Sequence, residues 1–162
     1  MRKILEAVSL IALAVLVFIT LTAFYGPSRL PDRIPIHFNV TGQPDAYGSP
    51  HMLLVFPIIV IAIYLLMSLV SRFPASFGFP VRVTPFNRRR LEELALRMIA
   101  WLKTEVVVVL TWIESEAINA ARRPDHHVSP LPMPLLLALV FATCIIHIAA
   151  IFKAGRTALR RP

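Results

Sequence analysis

Apolar residues along the chain fall into three long uncharged runs, which cover residues 7–24, 52–71 and 133–152. An α-helix rises about 1.5 Å per residue, so about 20 apolar residues cross the hydrocarbon core of a bilayer, which is roughly 30 Å thick. The pattern therefore predicts three membrane-spanning helices. The first run could also belong to a cleaved signal peptide, but the residues after it contain no clear small-x-small cleavage site, so we expect the helix to be retained.

A fourth segment, residues 88–123, mixes apolar and charged positions, and hydropathy alone would miss it. Its longest charge-free stretch is only residues 106–113, yet no proline or glycine interrupts it. Asn87 precedes the segment as a suitable N-cap residue. These features predict one long helix, which at about 1.5 Å per residue exceeds the thickness of a bilayer.

Charged side chains of this helix fall on two faces. At about 100° per residue, Glu105 and Glu116 share one face, whereas Lys103 and Glu114 share nearly the opposite face. A charge at the bilayer centre costs about 2.5–3.5 kcal/mol on insertion scales, so Lys103, Glu105 and Glu114 should face protein or water. Two interpretations stay open. One is a proton or ion relay; in the other, Lys103 and Arg97 snorkel inward while Glu114 and Glu116 lie at the outer boundary.

The distribution of basic residues indicates whether the mixed segment spans the membrane. Four spans with an inside N-terminus place eleven lysine and arginine residues inside and four outside. A surface-lying segment would give eleven against six, and basic residues favour the cytoplasmic side. We therefore predict an all-α polytopic integral membrane protein with four transmembrane helices and one domain over residues 1–162. We expect it in a bacterial cytoplasmic (inner) membrane with both termini cytoplasmic; its spans are residues 7–24, 52–71, 101–121 and 133–152.

Composition agrees with this class and excludes others. Hydrophobic residues make up 57% of the chain, above the roughly 45–50% of soluble domains. The net charge of +8 lies at the ends of the apolar runs, so membrane topology explains it and we expect no nucleic-acid partner. Cys144 is the only cysteine, which rules out an internal disulfide and a multi-thiolate metal site within one chain.

The segment between the first two runs, residues 30–51, has a different composition from its neighbours. Its prolines fix the backbone, and Gly42 can adopt a positive φ, so we predict a structured extracytoplasmic loop with a short extended piece at residues 34–40. A shaped loop on a rigid scaffold often carries binding. The candidate partner-binding or structural residues are Pro31, Asp32, Pro35, His37, Phe38, Asn39, Gly42, Pro44 and Asp45.

The same loop carries a family resemblance. Residues 30–45 read Leu-Pro-Asp-x-Ile-Pro-x-His-Phe-Asn-x-x-Gly-x-Pro-Asp. This pattern resembles the signature of a bacterial membrane-protein domain family of unknown function, which also forms the front part of SdpI-type immunity proteins. The resemblance covers roughly residues 1–72 and implies protection against a secreted toxin, with a signal passed to a cytoplasmic repressor. Similar proteins carry a lysine shortly after the pattern, where this chain has residues 49–51, Ser-Pro-His.

Metal binding and catalysis have weak support in the sequence. Asp32, His37, Asp45 and His51 offer oxygen and nitrogen ligands, but their spacing matches no standard motif, so we predict no metal and no cofactor. No nucleophile elbow, phosphate loop or dinucleotide motif occurs, and we expect no enzyme. His147, a further intramembrane polar residue, should hydrogen-bond to another helix.

Three function classes follow. The first is a signal-receiving or immunity-like membrane protein, whose loop binds another membrane protein or a secreted peptide, or braces the helices. The second is an accessory structural subunit of a larger membrane complex, or a homo-oligomer. The third is a small ion transporter or metal-handling protein. The loop resemblance favours the first class.

Overall fold

Four helices and one β-hairpin make up the fold. The computed structural model of the chain describes residues 1–26 and 30–158, with residues 157 and 158 described by backbone alone. Three arginines of the charge count, Arg29, Arg160 and Arg161, lie outside the described residues. The elements are α1 Arg2–Tyr25, β1 Ile34–Phe38, β2 Pro44–Gly48, α2 Val55–Val70, α3 Arg88–Arg122 and α4 Pro132–Ala158, with short 3-10 helices at Pro50–Leu54 and Pro74–Ser76.

Within the described residues, three helical segments are long and apolar enough to cross a membrane, namely Arg2–Tyr25, Pro50–Val70 and Pro132–Arg156. These helices carry many exposed large apolar side chains, whereas Val108 is the one such exposed residue in the described part of α3. The prediction of a mostly helical membrane protein is confirmed at this level. Helix α3, with 35 residues, is long enough but is not among these apolar helices.

Helix α3 lies at the centre and packs against α1, α2 and α4. Its contacts with α1 advance in the same direction along both helices, from Ser9 with Thr104 to Thr20 with Glu114, so these two helices run parallel. The contacts with α2 advance in opposite directions, because Val60 packs near Val107 and Ser68 meets Lys103. Three apolar helices therefore surround the most polar one.

Apolar side chains form three separate clusters along the length of the bundle. The first joins the ends of α1 and α3 to the hairpin and consists of Ala23, Ile34, Leu53, Ile118 and Ala121. The middle cluster consists of Leu16, Val60 and Val107, and all three side chains are fully buried. The third joins α3 to α4 and consists of Leu91, Ile151 and Ala154.

The two ends of the bundle differ in charge. We call the end where α1 begins the basic end, since ten of the described basic residues lie there: Arg2, Lys3, Arg72, Arg82, Arg88, Arg89, Arg90, Arg97, Lys153 and Arg156. We call the other end the hairpin end, and it holds Arg33, Arg122 and Arg123 among the described residues. At the basic end, Asn87 is the N-cap of α3, as predicted, although its side chain bonds to the preceding loop at Thr84 and Arg82.

The hairpin is held in a defined shape by its turn and by the connection between α3 and α4. The side chain of Asn39 accepts hydrogen bonds from the backbone N–H groups of Thr41 and Gln43. Gly42 has φ +82°, which confirms the predicted positive-φ position. The Val128 N–H donates to the Gly42 carbonyl over 3.0 Å, so the turn is tied to the opposite loop.

We expect Gly42→Ala to destabilise the protein by about 1–3 kcal/mol, since a side chain is strained at this φ. An added Cβ would also lie 1.8 Å from the Val128 carbonyl oxygen, so the two loops would have to separate. Thermal unfolding of the detergent-purified variant measures the loss. Gly78→Ala is the matched control, because open space surrounds Gly78; an equal loss in both variants would contradict the strain argument.

Candidate functional site

The polar side chains of α3 pair with side chains of the surrounding helices. At the basic end, Lys103 Nζ donates to Glu6 Oε2 over 2.6 Å and to Ser68 Oγ over 3.0 Å. The Tyr64 hydroxyl donates to the other oxygen of Glu6, and Lys103 Nζ lies 4.5 Å from the centre of the Tyr64 ring. The Lys103 side chain is only 6% exposed, whereas that of Glu6 is 43% exposed. This network neutralises the charge of a buried lysine.

Two glutamates of α3 are buried further along the bundle. Glu105 Oε1 accepts a hydrogen bond from Thr143 Oγ1 of α4 over 2.6 Å, and Glu114 Oε1 accepts one from Thr20 Oγ1 of α1 over 2.6 Å. The second carboxyl oxygen of each glutamate is buried without a hydrogen-bond partner among the described residues. The two polar faces predicted for α3 are therefore directed at different helices, with Lys103 and Glu114 toward α1 and Glu105 toward α4.

The sequence analysis did not predict which side chains pair with the polar residues of α3. Ser9 Oγ and Thr104 Oγ1 lie 2.9 Å apart, and Glu6, Thr20 and Thr143 complete the other pairs. A signal for part of this set is present in the sequence. Ser9 and Thr20 are eleven residues apart within an apolar run, and their partners Thr104 and Glu114 are ten residues apart. Nearly equal spacing along two parallel helices puts the polar positions at matching heights.

His147 does not behave as expected from the sequence. We expected a hydrogen bond to another helix, but His147 Nδ1 bonds to the Thr143 carbonyl of its own helix over 2.9 Å. Thr143 lies one turn earlier on α4, so the imidazole finds its hydrogen-bond partner within its own helix. The sole cysteine, Cys144, is free and partly buried.

The loop residues proposed as ligands lie in separate places. His37 Nδ1 and Asp45 Oδ1 lie 2.5 Å apart across the two strands of the hairpin, and both side chains are exposed. His51 bonds instead to Ser49 Oγ and lies beside the Phe24 ring. Asp32 is exposed at the start of the loop. Within residues 1–26 and 30–158, no three His, Cys, Asp or Glu side chains are placed to hold a metal ion.

A groove of about 610 Å³ lies beneath the hairpin. Every residue from Ile34 to Val40 lines it, together with residues of the 3-10 helix, the start of α2, the last turns of α3 and the start of α4. Most of the lining is apolar. Its polar members are His37, Asn39, Glu116 and Ser129. Of the loop candidates, Pro35, Phe38 and Gly42 also line the groove, whereas Pro31, Asp32, Pro44 and Asp45 do not.

Removing either charge of the pair between Glu6 and Lys103 should have unequal effects. Glu6→Leu leaves a buried ammonium group without its carboxylate, so we expect a loss of about 3–5 kcal/mol. Lys103→Leu leaves a half-exposed carboxylate that still accepts from Tyr64, so we expect at most about 1 kcal/mol. Thermal unfolding in detergent compares the two variants.

The double variant Glu6→Leu with Lys103→Leu is the control for this asymmetry. It removes both charges and should recover most of the stability that Glu6→Leu loses. Equal losses of stability for the two single variants, or no recovery in the double variant, would show that Glu6 does not stabilise a buried positive charge on Lys103.

Comparison with known proteins supports the domain of unknown function. Residues 11–61 match the family described as "Domain of unknown function (DUF1648)", a region that contains most of α1, the hairpin and the start of α2. An "uncharacterized protein" of Archaeoglobus fulgidus is 29% identical over 152 residues, covering 86% of this chain and 79% of the relative. No solved structure matches the chain. The resemblance read from the loop is thereby confirmed as one to a domain of unknown function.

Proposed function

We propose that this chain is a four-span membrane protein of the signal-receiving type, and that the groove at its hairpin end binds a secreted apolar peptide. The observation that carries the proposal is the groove itself, because every residue of strand β1 lines it. The proposal has two parts, the topology and the occupant, and each has its own support.

The fourth span is α3. Thr104 Oγ1 donates to the Leu5 carbonyl over 3.2 Å, and Ala121 packs in the same cluster as Ala23. Residues 104–121 of α3 thus lie beside residues 5–23 of α1, which is an apolar helix long enough to span. A neighbour that runs parallel over this length crosses the same layer. The polar side chains of α3 are tolerated within the membrane because neighbouring helices form hydrogen bonds and ion pairs with them.

The orientation follows from the charges at the two ends. Basic residues favour the cytoplasmic side of a membrane, and the basic end holds most of the described lysines and arginines. We therefore assign the basic end and both termini to the cytoplasmic face and the hairpin to the outer face of a bacterial cytoplasmic membrane.

Cysteine labelling tests this topology. In a Cys144→Ala background, Val40→Cys lies in the turn of the hairpin, where Val40 is 93% exposed. Ser76→Cys lies in the exposed connection between α2 and α3 at the basic end. In intact cells, an impermeant thiol reagent should label Val40→Cys and should label Ser76→Cys only after lysis. Labelling of Ser76→Cys in intact cells would overturn the assignment.

An extended peptide fits the groove better than a lipid chain does. Consecutive residues of a strand point to opposite faces, so a strand whose residues from Ile34 to Phe38 all line one cavity presents its edge to that cavity. β1 pairs only with β2 in the described hairpin, and its second edge has no strand partner there. An extended peptide can hydrogen-bond to such an edge and place alternate side chains in apolar pockets.

Charge in the groove narrows the class of peptide. Glu116 is the one carboxylate among the lining residues, and His37, which also lines the groove, is paired with Asp45. A basic residue in the peptide would complement Glu116. The resemblance to the front part of SdpI-type immunity proteins supports a secreted peptide as the occupant, and it supports an immunity-like role for the receiving protein.

A transporter function has less support. An ion moving along α3 from Lys103 to Glu114 would have to pass the middle cluster, where Leu16, Val60 and Val107 are fully buried. Buried apolar side chains at this level disfavour the passage of a charge along the face of α3 that contacts α1 and α2. The polar groups at the two ends therefore act as separate sets of interhelical contacts.

Fluorescence of Trp112 tests the occupant, because Trp112 lines the groove and the other tryptophan is Trp101. The probe is a short synthetic peptide that alternates leucine with threonine, carries one lysine and contains a brominated phenylalanine. In a Trp101→Phe variant in lipid nanodiscs, the peptide should quench Trp112 in a saturable manner. Glu116→Gln should weaken this binding about five- to tenfold, as expected for one charge-assisted contact.

Three controls separate specific binding from other outcomes. Trp112→Phe, which retains Trp101, should show no saturable quenching. Glu93→Gln removes an exposed carboxylate from the other end of α3 and should leave peptide affinity unchanged. If acyl-brominated phosphatidylcholine quenched Trp112 and the peptide neither quenched it nor displaced the lipid, the groove would be a lipid site and the peptide proposal would be wrong.

A further inference from the structure

A second cavity, of about 250 Å³, lies at the basic end between the start of α1, the end of α2 and the middle of α3. Its polar lining side chains are Arg2, Glu6, Ser68, Ser71, Arg72 and Lys103. The apolar stretches of α1 and α2 end at this level, so the cavity lies at the depth of the lipid headgroups. It is separate from the groove beneath the hairpin, and nothing in the preceding proposal assigns it a ligand.

The charges of this cavity do not balance. Three basic side chains face one carboxylate, which leaves an excess of two positive charges. Glu6 is already engaged by Lys103 and by the Tyr64 hydroxyl. Arg2 and Arg72 form no ion pair with any of the described residues. The cavity therefore holds two guanidinium groups that an anion would complement.

Backbone donors at the start of α1 point to the same class of ligand, whereas the serine hydroxyls of the cavity are already used. Ser68 Oγ accepts a hydrogen bond from Lys103 Nζ and also hydrogen-bonds to the Tyr64 side chain. Ser71 Oγ donates to the Met67 carbonyl and is already used. The first backbone N–H groups of α1 lie at this end, where the helix dipole favours negative charge.

We propose that this cavity binds the phosphate group of an anionic phospholipid headgroup. The guanidinium groups of Arg2 and Arg72 bind the phosphate oxygens. A lipid supplies the phosphate better than free phosphate does, because exposed apolar side chains beside the cavity, Ile4, Leu69 and Val70, offer contacts for its acyl chains. The inference does not depend on the peptide groove.

Native mass spectrometry of the detergent-purified protein tests the site, with phosphatidylglycerol, phosphatidylcholine and inorganic phosphate as three separate probes. We expect phosphatidylglycerol to bind in preference to phosphatidylcholine. Arg2→Gln with Arg72→Gln should lower phosphatidylglycerol affinity about five- to tenfold for each arginine removed and leave phosphatidylcholine binding unchanged. Phosphate that bound equally well without a lipid tail would indicate a site for soluble phosphate.

A charge-matched variant shows whether the cavity or the whole basic end attracts the lipid. Arg90→Gln with Arg97→Gln removes two positive charges from the same end but outside the cavity, and should retain most of the preference for phosphatidylglycerol. Equal losses in the two double variants, or no loss in the cavity variant, would overturn the proposal. Both cavity arginines are exposed, so the variant should fold, and its thermal unfolding verifies this.

Discussion

The pairing of polar side chains between α3 and the helices around it is the interaction on which the structure depends. In a bilayer, apolar side chains gain little by leaving lipid for protein, so packing and interhelical hydrogen bonds must hold helices together. Here Lys103 with Glu6, Thr104 with Ser9, and Glu114 with Thr20 join α3 to α1. Thr143 with Glu105 joins α3 to α4. The most polar helix can occupy the centre because each neighbouring helix forms hydrogen bonds with some of its polar side chains.

This arrangement explains which features could be read from the sequence. The three outer helices face the bilayer with apolar side chains, so their runs are long and uncharged, and hydropathy identifies them. The length of α3 could also be predicted, from Asn87 at its start and the absence of proline and glycine. Its central position could not, because a charged residue has the same hydropathy whether its partner lies on a neighbouring helix or in water.

The hairpin shows the same division between local and non-local information. A positive φ at Gly42 could be predicted from turn chemistry, which involves only neighbouring residues. The groove could not, because its walls come from segments that are far apart in the chain, including Phe38, Trp112 and Met133. The interhelical bond expected of His147 failed for a related reason. A carbonyl one turn earlier on the same helix was available, and a local partner requires no particular packing.

The middle cluster of Leu16, Val60 and Val107 bears on how the proposed signal-receiving role would work. These three side chains are fully buried between the levels of Lys103 and Glu114, so a change at the groove would reach the basic end more readily as a shift of a rigid element than as a moving ion along this face. α3 is that element, since its last turns line the groove and its Lys103 lines the cavity at the basic end. A signal-receiving role therefore requires α3 to have two positions, and the polar contacts with α1 and α4 are the ones that such a shift would exchange.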